Sequence, residues 1–319
     1  MKNNGCIDAG REGCPCALAE YGKCLVCSKL RGGSCDDCNW QGSCIYTLYQ
    51  QNGRKLVKAR QDKTYEIAEV KQYGENFKVF VLKADKGFCQ KAQTAGAYVF
   101  VRASESEDWY GMPVSVLKAE PEKERLHLGV SSCGPKSGSL LAAEKTLCVR
   151  GVYYNALSGM GGLDAEPNSS LIYAKGIAMA PLRNFLDGGT RYSKWLKNMN
   201  LYVDLDKVGF DFFKDYFGDL PVDAIHVKDF ASGDLEGLSG AGGLESAQGL
   251  NDIELMAQAE RVNVFSLTSP YYADKVEASA GKKIVRPTSG NMCCGEGVCG
   301  ACTYDDETGK TIHRCKARI

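Results

Sequence analysis

Between Tyr65 and Tyr154 the chain runs through six short apolar segments. "YEIAEVKQYG" (65–74), "NFKVFVLKAD" (76–85), "GAYVFVRAS" (96–104), "MPVSVLKAE" (112–120), "RLHLGVSS" (125–132) and "TLCVRGVYY" (146–154) alternate or run apolar and are rich in β-branched and aromatic residues. Charged or glycine-containing turns separate them. Segments of this length and spacing predict strands, and six in succession predict a small antiparallel β-barrel over 51–157.

After "NALSGMGGLDAEPNSS" (155–170) the rhythm changes. "SLIYAKGIA" (170–178) reads as a buried strand, "PLRNFLDGGTRYSKWLKNM" (181–199) as a helical stretch, and "LYVDL" (201–205) and "DAIHVKDF" (223–230) as strands. A helix is expected in "NDIELMAQAE" (251–260) and a strand in "RVNVFSLTSP" (261–270), with a mobile loop at "GDLEGLSGAGGLESAQGL" (233–250). Strands alternating with helices predict an α/β domain over 158–285, its parallel sheet covered on both faces.

Composition narrows the setting. At 319 residues, 44% of them apolar and 24% charged, the chain suits a multidomain globular protein. The 39 basic residues balance 39 acidic ones, so no net field points to nucleic acid or to an anionic membrane. "MKNNGCIDAG" carries no signal pattern and no apolar run is long enough to span a bilayer, so a cytoplasmic protein is expected. In a reducing compartment, sixteen cysteines in close clusters favour metal binding over disulfides. Eight fall within 6–44 and five within 293–315; only Cys89, Cys133 and Cys148 lie between. The fold class is therefore a barrel plus an α/β domain, flanked by small cysteine-rich modules at 1–50 and 286–319.

The C-terminal module spaces its thiols as Cys294-x4-Cys299-x2-Cys302-x12-Cys315. Three thiolates share one loop and the fourth follows the turn "DDETGK", a set suited to a [2Fe–2S] cluster. Gly295, Gly297 and Gly300 allow positive φ and close approach of backbone N–H groups to sulfur. Zinc is the alternative, although structural zinc sites usually pair two compact knuckles. His313, two residues before Cys315, reads as an exposed hairpin histidine.

The N-terminal block offers Cys6, Cys14, Cys16, Cys24, Cys27, Cys35, Cys38 and Cys44, with Trp40, Tyr21 and Tyr46 as its large aromatics. About fifty such residues cannot assemble much of a core, so ligation is expected to supply folding energy. Eight thiols suffice for two four-thiolate sites. Two [4Fe–4S] clusters, one cluster plus zinc, and zinc alone all stay open, because the Cys-x2-Cys pairs 24/27 and 35/38 suit zinc knuckles and cubanes alike.

Two near-motifs fail. "GVSSCGPKS" (129–137) misses a phosphate loop because Pro135 intrudes before Lys136, and "GAGGLE" (240–245) lacks the last glycine of a dinucleotide fingerprint. No residue presents itself as a catalytic acid, base or nucleophile, and the three histidines form no visible triad.

The tail "MCCGEGVCGAC…C" resembles that of the electron-transfer subunit of class 1B dihydroorotate dehydrogenase, within the ferredoxin–NADP reductase superfamily. The resemblance runs over roughly 56–319: "GAYVFVRA" resembles the strand before the flavin motif, "MPVSVL" that motif, "GPKSGSL" the second flavin-contact turn, "LCVRGVYYN" the end of the barrel, "LIYAKGIAMAPL" the nucleotide turn, and "NVFSLTSPYYAD" the later strand. It implies FAD on the barrel near Met112, Pro113, Ser115, Lys136 and Ser137, NAD(P) near Gly176 in the α/β domain, and [2Fe–2S] on the tail. In that register Cys294 is the first cluster ligand and Cys293 occupies a variable position.

The departures are specific. Met112 replaces the arginine of the flavin motif and so removes a guanidinium fork for the diphosphate. Lys175 and Ala178 replace glycines of the nucleotide turn and crowd the pyrophosphate approach, and Thr268-Ser269-Pro270 replaces Cys-Gly-Pro. The expected function is an iron–sulfur, flavin-linked electron-transfer protein or subunit working with a redox protein or dehydrogenase subunit in a hetero-oligomer. The alternatives are an NAD(P)H-dependent flavin oxidoreductase and a cofactor-depleted reductase-like scaffold or redox sensor.

Overall fold

A computed structural model describes residues 5–187, 194–220, 225–227, 261–288, 291–306 and 309–318. The six apolar segments become six strands: β1 (Lys63–Tyr73), β2 (Phe77–Lys83), β3 (Tyr98–Ala103), β4 (Met112–Glu120), β5 (Arg125–Ser131) and β6 (Thr146–Tyr153). They close a barrel in the order β1-β2-β5-β4-β3-β6, with antiparallel neighbours. Its interior is filled by Phe80, Leu82, Val99, Val101, Leu126, Leu128 and Val149.

β2 reads as a continuous apolar run because both of its faces are covered. Phe80 and Leu82 face the barrel core, whereas Phe77 and Val79 face the α/β layer, where Phe77 packs edge-on against Phe212 with centroids 4.9 Å apart. The short helices Lys86–Ala92 and Pro135–Leu141, between barrel strands, were not expected from the sequence.

β7 (Leu157–Ser158) leads out of the barrel into a parallel sheet of β8 (Ser169–Lys175), β9 (Met199–Asp204), β10 (Ile225–Val227) and β11 (Val262–Leu267), ordered β10-β9-β8-β11. β8 is buried on both sides: Ile172 and Ala174 pack with the helices Ala180–Asp187 and Gly209–Phe217, while Leu171 and Tyr173 pack with Val276 and Ala280 of the helix Pro270–Ala280. β12 (Arg286–Pro287) returns to pair antiparallel with β7. Asn184 donates to the carbonyls of Ala92 (3.2 Å) and Val116 (3.4 Å), so the first sheet helix is tied to the barrel by hydrogen bonds as well as packing.

The helical stretch expected over 181–199 is shorter than the pattern suggested. The described residues show a helix over Ala180–Asp187 and a 3-10 turn at Lys194–Leu196, and Met199 already belongs to β9. The helix Gly209–Phe217 was not expected from the sequence; Phe212, Phe213, Tyr216 and Phe217 share one buried helical face. The helix expected at 251–260, the loop at 233–250 and "GAGGLE" lie outside the described residues.

The chain divides into two compact units, 64–289 and a second made from both ends, 1–63 with 290–319. In the second, Cys6 bridges antiparallel to Ala317, the Ile7 N–H donates to the Lys316 carbonyl (2.8 Å), and the Arg318 N–H donates to the Gly5 carbonyl (2.7 Å). Leu18 and Leu25 share a small core with Ile312 and Ala317, beside the hairpin of β13 (Thr303–Asp305) and β14 (Thr311–His313). An apolar core too small for either end alone is thus assembled from both. Among the described residues, no helix is long and apolar enough to cross a membrane.

Candidate metal centre

The C-terminal loop turns at Gly295 (φ 70°), Gly297 (φ 76°) and Gly300 (φ 74°), the left-handed conformation that favours glycine. These turns aim backbone donors inward. The Glu296 N–H donates to Cys294 Sγ at 3.3 Å, and the Cys315 N–H donates to Cys302 Sγ at 3.5 Å. The Cys315 thiol hydrogen-bonds with both Cys294 and Cys302. That contact, with backbone donors from Glu296, Val298 and Cys299, holds Cys294 well below the usual thiol range, at about 3, against the opposing effect of burial. The Cys315 contact likewise brings Cys302 down to about 6. Cys315 is pushed up by the same two bonds and by burial, and Cys299 is raised by burial.

The four predicted thiols are linked in pairs, Cys294 with Cys299 and with Cys315, and Cys315 with Cys302, and among the described residues no three of them are gathered tightly enough for a single metal ion. Cys302 and Cys315 are buried while Cys299 is exposed, so the group has one side within the unit and one at its surface. Cys293 is exposed. His313 is half-buried where an exposed hairpin position was expected.

The N-terminal cysteines separate into two environments. Cys6, Cys14, Cys16 and Cys24 line one cavity, whereas Cys35, Cys38 and Cys44 are exposed. Cys27 is buried, and its N–H donates to Cys24 Sγ at 3.3 Å. Burial pushes Cys6 up to about 12 and Cys14 up to about 11, and it raises Cys24 as well. Among the described residues, no three His, Cys, Asp or Glu side chains are gathered tightly enough for a single metal ion.

Four charges that the sequence reading missed link the two thiol groups. Lys316, next to Cys315, donates to Asp8 at 2.8 Å and to Glu296 at 2.9 Å; Arg60 donates to both Asp8 carboxylate oxygens at 2.6 and 3.1 Å and lies 3.6 Å from Glu296. Burial would raise the Asp8 carboxyl, but the Lys316 and Arg60 charges outweigh it and hold the carboxyl below its usual range. Burial would lower Lys316, but the Asp8 and Glu296 carboxylates raise it. Asp8 and Lys316 stand 308 positions apart, and no local pattern pairs them.

The flavin and nucleotide positions are less open. Met112, Pro113 and Ser115 lie on β4 opposite β3. The Ser137 hydroxyl is buried and committed to its own turn, accepting from the N–H groups of Cys133 (2.8 Å) and Gly134 (3.0 Å). Lys136 donates to the carbonyls of Trp109 (2.6 Å) and Gly111 (3.2 Å). Gly176 has φ 51°, and a Cβ there would sit 3.2 Å from the Asp206 carboxylate. Lys175 is paired with Asp204. In this arrangement the turn offers a diphosphate carboxylates where a bare amide cradle would be needed.

No protein-family model matches the sequence, and no curated protein matches it. Solved structures do. The chain is similar to the NADH-dependent reduced ferredoxin–NADP oxidoreductase studied for flavin-based electron bifurcation, at 17% identity and a TM-score of 0.53, over 79% of this chain and 85% of that one. It is similar to phthalate dioxygenase reductase, a modular structure for electron transfer from pyridine nucleotides to [2Fe–2S], at 15% identity and a TM-score of 0.53, over 85% and 96%. A ferredoxin NADP+ reductase from Neisseria gonorrhoeae with bound FAD and NADP aligns at 15% identity and a TM-score of 0.52, over 72% and 93%. The fold is that of the ferredoxin–NADP reductases. A closed antiparallel barrel followed by a parallel α/β sheet is the architecture that the resemblance implied. Identities this low carry the architecture and leave each cofactor to be argued from this chain's own residues.

Proposed function

We propose that this chain is an iron–sulfur electron-transfer protein or reductase subunit, with a [2Fe–2S] cluster on Cys294, Cys299, Cys302 and Cys315. The observation that carries the reading is that Cys315, beyond the hairpin, reaches Cys294 and Cys302 of a loop whose glycines turn N–H groups onto Cys294. A bound cluster supplies one-electron exchange at a potential set by its surroundings. The chain's part is to ligate through four thiolates, to stabilise their charge with loop amides, and to brace the loop with the Lys316–Asp8–Glu296–Arg60 network. Val298 is 55% exposed beside the exposed Cys299, which supports delivery of electrons to a protein partner. The N-terminal cysteines are read as supplying ligands for at least one further iron–sulfur or zinc site.

The likeness to reductases solved with FAD and NADP supports a second reading, an NAD(P)H-dependent flavin oxidoreductase. Flavin would then meet Met112, Pro113 and Ser115, whereas Ser137 and Lys136 would first have to leave their present partners. The test is cofactor analysis of the anaerobically purified protein for iron, sulfide, zinc and flavin per chain, with visible and EPR spectra. Iron and sulfide with a [2Fe–2S] spectrum are expected, and released flavin would favour the second reading. Colourless protein holding zinc alone would sink both iron–sulfur assignments.

A further inference from the structure

We infer that Cys6, Cys14, Cys16 and Cys24 are the four ligands of a single [4Fe–4S] cluster, a grouping that rests on the iron–sulfur reading above. Each reaches the same cavity from a different constraint. Cys6 is fixed by its backbone bridge to Ala317. Cys14 and Cys16 flank Pro15 and both line the cavity just before the helix Ala17–Glu20 begins, Cys16 in extended backbone (φ −103°, ψ −179°). Cys24 follows that helix, and its sulfur accepts the Cys27 N–H, the kind of contact a metal-bound thiolate uses to spread its charge.

The rest of the cavity wall suits an iron–sulfur core. Leu18 and Ile45 supply buried apolar surface, and Asp8 is the acidic side chain in the lining, already committed to Lys316 and Arg60. No three of these side chains are gathered for a single ion, which would need all its sulfurs about 2.3 Å away, whereas a cubane carries an iron at each of four corners and takes its thiolates spaced apart. The division of the block follows. Cys27 serves through its amide, and the exposed Cys35, Cys38 and Cys44 stand outside this ligand set. The wall towards the C-terminal loop is one side chain thick, since Leu18 lines the cavity and also lies where a Cβ on Gly297 would be 3.0 Å from its Cγ.

The test compares serine variants of the full chain, purified anaerobically, by iron and sulfide content and EPR of the reduced protein. Cys6→Ser, Cys14→Ser, Cys16→Ser and Cys24→Ser should each lose the [4Fe–4S] signal and about four irons, and should keep the [2Fe–2S] signal as evidence of a folded unit. Cys27→Ser and the triple variant Cys35→Ser/Cys38→Ser/Cys44→Ser should keep the [4Fe–4S] signal. The triple variant guards against misfolding in the first group, because loss of the signal there overturns the grouping even if every single variant collapses. An unchanged [4Fe–4S] signal in Cys16→Ser would also overturn it, as would zinc in place of iron at this site. Wild-type protein with neither iron nor sulfide would instead defeat the iron–sulfur reading itself.

Discussion

Lys316 and Asp8, 2.8 Å apart and both buried, fasten the last residues of the chain to the first. The ammonium is 0% exposed and the carboxylate 3% exposed, so neither can turn to water if its partner is lost. Removing one member of a buried pair costs about 3–5 kcal/mol when the other charge is left with no partner, and here Asp8 keeps Arg60 and Lys316 keeps Glu296, so that figure is the upper limit. Asp8→Ala and Lys316→Met should each lower the urea midpoint, by no more than that. The double variant should lose less than the sum of the two, and a purely additive result would mean that the pair does not couple the chain ends.

The tail register makes a sharper chemical prediction. Cys294 accepts loop amides and meets Cys315, while its neighbour Cys293 is exposed. Cys294→Ser should abolish the [2Fe–2S] EPR signal, and Cys293→Ser should leave it unchanged. The reverse pattern would shift the ligand set by one residue.

Two glycines of the same loop separate backbone strain from crowding. Gly297 and Gly300 both have φ near 75°, so alanine at either costs about 1–2 kcal/mol of left-handed strain. Around Gly300 the space is open, whereas a Cβ on Gly297 would meet Leu18 at 3.0–3.3 Å, and Leu18 is 1% exposed with little room to yield. Overpacking of that kind adds about 1–3 kcal/mol. Gly297→Ala should therefore be the less stable variant in chemical unfolding and the faster to lose its visible absorbance. Equal losses would show that Leu18 moves aside freely.

How much of this was legible in the sequence varies with the range of the interactions. The six barrel strands were readable because alternation and β-branching are local properties, whereas the covering of both faces of β2 emerges only from its packing. "GFDFFKDYF" was given no element from the sequence, and its helix shows in the i, i+4 spacing of Phe212 with Tyr216 and of Phe213 with Phe217. The four tail cysteines could be picked out by spacing because three of them share one loop. The N-terminal eight could not be divided, since the division depends on which thiols face a cavity whose wall includes Leu18, packed against Ala317 at the far end of the chain. For the same reason nothing local marked Asp8 or Arg60 as partners of the tail.

His127 gives the molecule a pH dependence whose sign follows from its surroundings. It sits on β5 with Nδ1 3.0 Å from the Tyr216 hydroxyl and Nε2 3.0 Å from the Glu120 carboxylate, while Lys118 and Lys71 add positive charge nearby. Burial and the two lysines outweigh the attraction of Glu120, so its folded-state pKa lies below the ordinary 6.5. The unfolded chain therefore takes up this proton first as pH falls, and stability drops below about pH 6.5 until the folded histidine also protonates. Glu120 works in a lower window: burial is outweighed by Lys123, Lys118 and His127, which bring it to about 2, so its contribution is present above the ordinary carboxylate pKa and is lost towards that value. Between about pH 7 and 5.5 the urea midpoint of the wild type should thus fall more steeply than that of His127→Gln. A wild-type slope equal to or shallower than the variant's would mean that His127 is protonated inside the fold.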